Sequence, residues 1–212
     1  MEILVDDKPV HDSVVEGATT LEELLRRVQD GLGAPDRVVT GLRCDGRDVA
    51  ANKMAATLSE PVQSIARLEV FTATREELVV DAMQQASKCL SETEPACGRI
   101  AELLTQDQTV EAAEALSECL RVWQQIHDAL AKSIEMLNID PAQVTVNDQP
   151  LQELIARPKK TLLQVKQALQ NRDHVLLADV LQYEFSDVIK TWHDVIAAVR
   201  REAEGSRGDR QP

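Results

Sequence analysis

Glu184 is the position where ionisable chemistry is most out of place. It lies three or four residues from Val180, Leu181 and Val188, on or beside an apolar helical stripe. A carboxylate there loses hydration and needs a partner. Two readings stand: an acid with a raised pKa, of the kind that functional sites use, or a structural hydrogen bond or ion pair between helices. Tyr183, the single tyrosine, precedes it, and its phenol can cap a bundle from one position off the stripe. With His127, these residues make the one polar cluster that the sequence offers as a pocket.

Other chemistry lacks the required spacing. His11, His127, His174 and His193 are scattered, with no pair at i, i+4 and no His-Glu-x-x-His. No Glu-x-x-His motif of the di-iron bundles occurs. Gly31-Leu-Gly33 ends a helix instead of opening one, so it is not a phosphate loop. No Ser or Cys nucleophile motif is present. The expectation is therefore no catalytic residue, no metal and no cofactor. Cys44, Cys89, Cys97 and Cys119 read as reduced thiols, mostly in a core, in a cytoplasmic protein without a signal peptide.

Composition narrows the partners. The net charge is −13, divided as −4 through Arg75 and −9 beyond it. Neither part attracts a phosphate backbone, so nucleic acid and anionic membranes are not expected partners. The cluster Arg157, Lys159, Lys160 reads as a solvated helix start. Apolar residues make up 43% of the chain and aromatics only 2%. Leu, Val, Ile and Ala must therefore fill the core, and few rings remain for stacking on bases. No run approaches the ~20 apolar residues that span a bilayer.

The elements that position these residues change rhythm near Thr74. Before it, Glu2 to Asp6 reads as a strand, Asp6-Asp7-Lys8-Pro9 as a turn, and Val10 to Glu16 as the returning strand. Thr19 or Thr20 caps a helix whose face is Leu21, Leu24, Leu25 and Val28, ended by Gly31, Gly33 and Pro35. Arg37 to Cys44 is a strand, Asp45-Gly46 a hairpin turn, and Ile65 to Ala73 the last strand. After Thr74-Arg75-Glu76-Glu77, a second capping box, the pattern is helical. Pro95 predicts a break, Thr109 to Leu137 a long helix, and Leu151 to Gln170 another, with Leu154, Ile155, Leu162, Leu163, Val165 and Leu169 inward and Pro158 a kink or a new start. A final helix runs to about Glu204, with Trp192 on its inner stripe. Val144 to Leu151 echoes Leu4 to Val10.

The fold expected is α+β: a β-grasp-like unit at 1–74, an antiparallel bundle of four to five helices at 75–204, and a disordered tail at 205–212. The order hairpin, helix, strand, short strand, strand resembles the β-grasp, or ubiquitin-like, fold. Phe71-Thr-Ala-Thr runs straight into a helix, without the C-terminal Gly-Gly with which ubiquitin-like modifiers conjugate. The stretch Asp173-His-Val-Leu-Leu-Ala-Asp-Val-Leu-Gln-Tyr-Glu, followed by Trp192, is similar to a segment of uncharacterised bacterial helical proteins.

The first functional reading is a non-enzymatic protein-interaction or adaptor protein, with a flagellar or secretion-type chaperone as a special case. It implies an exposed apolar groove or a self-associating, homodimeric surface. The second is an enzyme or small-ligand-binding protein whose pocket gathers dispersed residues near Glu184.

Overall fold

The computed structural model describes residues 1–10, 17–31 and 37–208. His11, most of the expected strand 10–16, Gly33 and Pro35 lie outside these residues. The fold is α+β: a mixed five-stranded sheet precedes a helical region. The chain divides into two units, Met1–Glu77 and Leu78–Pro212.

In the first unit, β1 (Glu2–Val5) turns back into β2 (Lys8–Pro9). The turn is Asp6-Asp7, both with left-handed φ (48° and 63°), and Lys8 and Pro9 already pair with Val5 and Leu4. The return thus begins inside the stretch that reads as a turn. Pro9 is tolerated because β2 is an edge strand, where one missing donor costs little. Helix α1 (Leu21–Gly31) opens on the expected box: the Thr19 amide donates to Glu23 Oε2 at 3.0 Å, and the Glu23 amide to Thr20 Oγ1 at 3.4 Å. Strand β3 (Arg37–Cys44) turns at Asp45-Gly46 into β4 (Arg47–Asp48). A short helix, α2 (Met54–Leu58), lies in the crossover to β5 (Arg67–Thr74).

The strand order is β2-β1-β5-β3-β4, with β1 and β5 parallel and the other pairs antiparallel. This is the β-grasp arrangement. Leu21, Leu24, Leu25 and Val28 of α1 share a core with Ile3, Val5, Leu42, Leu68 and Val70.

One polar cluster fastens the hairpin turn to the central strand. Asp6 Oδ1 accepts from the Thr72 amide at 2.8 Å, and Oδ2 accepts from the Thr72 hydroxyl at 2.6 Å and Arg37 Nη2 at 3.0 Å. Burial pushes the Asp6 carboxyl up, but the Thr72 donors and Arg37 outweigh it and hold it below its ordinary value of 3.8. A depressed carboxylate stabilises the fold above its unfolded pKa, and that contribution is lost as pH falls through the folded value. Asp6→Asn is therefore expected to cost about 1–2 kcal/mol near neutrality and less below about pH 4. Urea titrations of both proteins at pH 7 and pH 3 check this. An equal loss at both values would remove the carboxylate from the account.

Helix α3 (Arg75–Thr105) starts at the end of the first unit, on the second capping box: the Thr74 amide donates to Glu77 Oε2 and the Glu77 amide to Thr74 Oγ1. Pro95 does not break it. Pro95 and Ser91 are both exposed, so the Ser91 carbonyl left without its helical donor faces water. Leu90, Cys97, Ile100 and Ala101 stay buried on the other face. Then come α4 (Thr109–Met136), a hairpin of β6 (Thr145–Val146) and β7 (Gln149–Pro150), α5 (Leu151–Ala156) and α6 (Pro158–Asn171). Pro158 starts a new first turn, where its missing N–H costs nothing. The β6–β7 turn, Asn147-Asp148, has left-handed φ of 50° and 61°, and its register repeats that of β1–β2. The two echoing segments therefore fold alike.

Arg172, at φ 54°, ends α6. Asp173 then caps α7 (His174–Asp179) by accepting from the Leu176 amide at 2.9 Å. A π-helical turn, Val180–Glu184, joins α7 to α8 (Phe185–Gly208). Helix therefore continues through 205–208, past the point where the composition suggests it stops, and 209–212 lie outside the described residues. Six α-helices follow the sheet among the described residues, against the four to five expected: Leu151 to Gln170 divides at Pro158 and the final helix divides at the π turn, while α3 stays undivided at Pro95. No helix among these residues is long and apolar enough to cross a membrane.

Candidate functional site

The centre of the helical unit is aromatic. Trp123 of α4 meets Phe185 edge-on at 5.1 Å and Trp192 of α8 at 4.7 Å. Phe185 and Trp192 are fully buried. The π turn explains why Phe185, and not Glu184, enters this nest. One extra residue in the turn shifts the register, so the buried face steps from Val180 and Leu181 to Phe185, Val188, Ile189 and Trp192.

Glu184 consequently lies on the surface, where Oε1 accepts from Gln164 Nε2 of α6 at 2.9 Å. This is the structural hydrogen bond between helices that the sequence left as one of two readings. Tyr183 is 63% exposed and caps nothing buried. The His127 ring stacks on Trp192 at 5.8 Å, its side chain about half exposed. Among the described residues, the three share no hydrogen bond, ion pair or ring contact.

His127 belongs to a different feature. A groove of about 520 Å³ opens between α4, α5 and α6. Trp123 and His127 come from α4, Gln152 and Ile155 from α5, and Lys159, Leu162, Leu163 and Lys166 from α6. Leu162, Leu163 and Leu169 are expected inward, yet Leu163 is 57% exposed and Leu169 46%. Val165 is buried as expected and Leu162 half-buried, and the buried face of α6 is Pro158, Thr161, Val165 and Ala168. Those small residues recur at intervals of three and four and allow close approach. The leucines drew the sequence reading because they are more apolar.

A second groove, of about 430 Å³, lies between α3 and α4. Beside it Cys97 and Cys119 are buried with their sulfurs 3.8 Å apart. The hydrogen bond to Cys119, together with burial, holds the Cys97 thiol well above its ordinary value, so it stays protonated. Burial, with Asp45 and Glu60 nearby, pushes the Cys44 thiol up. All four cysteines are free. Among the described residues, no three His, Cys, Asp or Glu side chains are placed to hold a metal ion.

Exposed apolar side chains are unevenly spread. Of the nine large ones among the described residues, five fall between 163 and 183: Leu163, Leu169, Val175, Leu176 and Tyr183.

Two family models match the chain. Residues 81–195 match a domain of unknown function, DUF8042, and residues 1–74 match the TP0873 N-terminal domain. No curated protein and no solved structure matches.

Proposed function

The chain belongs to the DUF8042 family, whose function is unknown, and we propose that it is a cytoplasmic, non-enzymatic protein-interaction module of the adaptor kind. The observation that carries this reading is the apolar exposure on α6 and α7. Leaving Leu163, Leu169, Val175 and Leu176 partly in water forgoes a share of the roughly 1.5–3 kcal/mol that full burial of each side chain is worth. Exposed apolar side chains concentrated in one segment are the kind of surface that another molecule covers. Val175 is 74% exposed at the second position of a helix that Asp173 caps, so its exposure belongs to ordered structure.

Capture from the native cell extract tests the reading. The full chain is expected to retain a protein at stoichiometric yield. The double substitution V175K/L176K is expected to lose it while circular dichroism stays unchanged, because both side chains already face solvent. A wild-type chain that retains no protein, or a variant that retains the same one, overturns the proposal.

A further inference from the structure

We propose that the groove between α4, α5 and α6 seats an acidic amphipathic helix of another protein, a proposal that rests on the interaction reading above and names the chemistry of the partner. Three observations carry it. The chain holds 36 carboxylates against 23 cations, yet no Asp or Glu lines this groove, while Lys159 and Lys166 do. Arg157 to Arg172 contains five cations and no carboxylate, so α6 is a basic helix in an acidic chain. The groove between α3 and α4 shows the contrast, with Glu92, Glu102 and Glu118 set against Arg99.

The shape selects a helix. On the outer face of α6, Lys159, Leu163 and Lys166 recur at intervals of four and three, with the half-buried Leu162 beside them. From Lys159 to Lys166 this strip of apolar and cationic side chains is about 10 Å long at the rise of an α-helix. Its length matches the span of apolar anchors at i, i+4 and i+7 on a docked helix, about 10 Å. Trp123 and Ile155 give the anchors an apolar floor. Leu163, between the two lysines, meets the partner's apolar stripe, and the ammonium groups meet carboxylates on either side of it. A basic helix would set like charges together at the rim, which penalises the wrong partner.

The probes are two synthetic helical peptides of about 14 residues, each with leucines at i, i+4 and i+7 and a quencher at one end. One carries glutamates beside the leucines and the other lysines. Tryptophan emission is the readout, because the two tryptophans of the chain are Trp123 in the groove wall and Trp192 packed against it. The glutamate peptide is expected to bind the full chain at least about tenfold more tightly than the lysine peptide. K159E/K166E is expected to reverse that preference, and L163D to lose both peptides. Equal affinity for the two peptides, no quenching by either, or a preference unchanged in K159E/K166E overturns the assignment. So does light scattering that shows a dimer dissociated by L163D, since a second copy would then occupy the groove. A cellular partner retained by both the wild type and K159E/K166E, but lost by V175K/L176K, removes this groove and leaves the interaction reading standing.

Discussion

Trp192→Ala is expected to destabilise the helical unit by about 3–5 kcal/mol, the range for deleting a large aromatic side chain from a packed interior. Trp192 is fully buried and touches Trp123, and His127 stacks on its outer side. Its removal opens a cavity at the meeting point of α4 and α8 and withdraws a ring from two aromatic contacts, each worth about 0.5–1.5 kcal/mol beyond its area. Trp192→Phe separates packing from polarity. The indole N–H is buried without an acceptor among the described residues, so losing it sacrifices no hydrogen bond with them, and most of the deficit should be recovered. Urea unfolding followed by circular dichroism reports both variants, since half of the tryptophan signal is gone. A loss under about 1 kcal/mol for Trp192→Ala would mean that this nest does not organise the unit.

Pro95→Ala is expected to act in the opposite direction, with a gain of about 2–3 kcal/mol. A proline inside a helix costs about 3 kcal/mol through its missing donor and its clash with the preceding turn. Part of that gain is offset, because alanine frees the unfolded chain by up to about 1 kcal/mol. Pro95 is ten residues from the end of α3 and exposed, so the new side chain disturbs no packing. The new N–H restores the bond to the Ser91 carbonyl. The denaturation midpoint should rise at constant m-value. A fall would show that α3 needs its irregularity at this point.

Local signals in this chain carry far. Both capping boxes, Thr19-Thr20 with Glu23 and Thr74 with Glu77, are legible because their partners lie within four residues. So are the Asp45-Gly46 turn and the α1 face. The β-grasp order follows from the same reading, since strand lengths and one helix leave few arrangements. The misreadings are of another kind. Pro95 is a local stop signal overridden by tertiary burial of Leu90 and Ile100 on the opposite face. Leu163 and Leu169 of α6 point outward because Thr161, Val165 and Ala168 pack more closely, and no count of hydrophobicity ranks Thr161 above Leu163. Glu184 misleads because a π turn changes the period within one helix. Arg157, Lys159 and Lys160 read as a solvated helix start, and they are exposed. Only tertiary structure brings Lys159 to the lip of a groove with Trp123, 36 positions away in sequence.

The five-residue turn at Val180–Glu184 leaves the chain one codon of slack. Gln182 and Tyr183 both face water there. Loss of either would return the segment to an unbroken α-helix, with Leu177, Leu181, Phe185, Val188 and Trp192 drawn into steps of four, three, three and four. At most positions in a packed helix a deletion rotates everything beyond it by about 100°. Here the same event would spare the interior, so length variation among relatives has a place to accumulate without dismantling the fold.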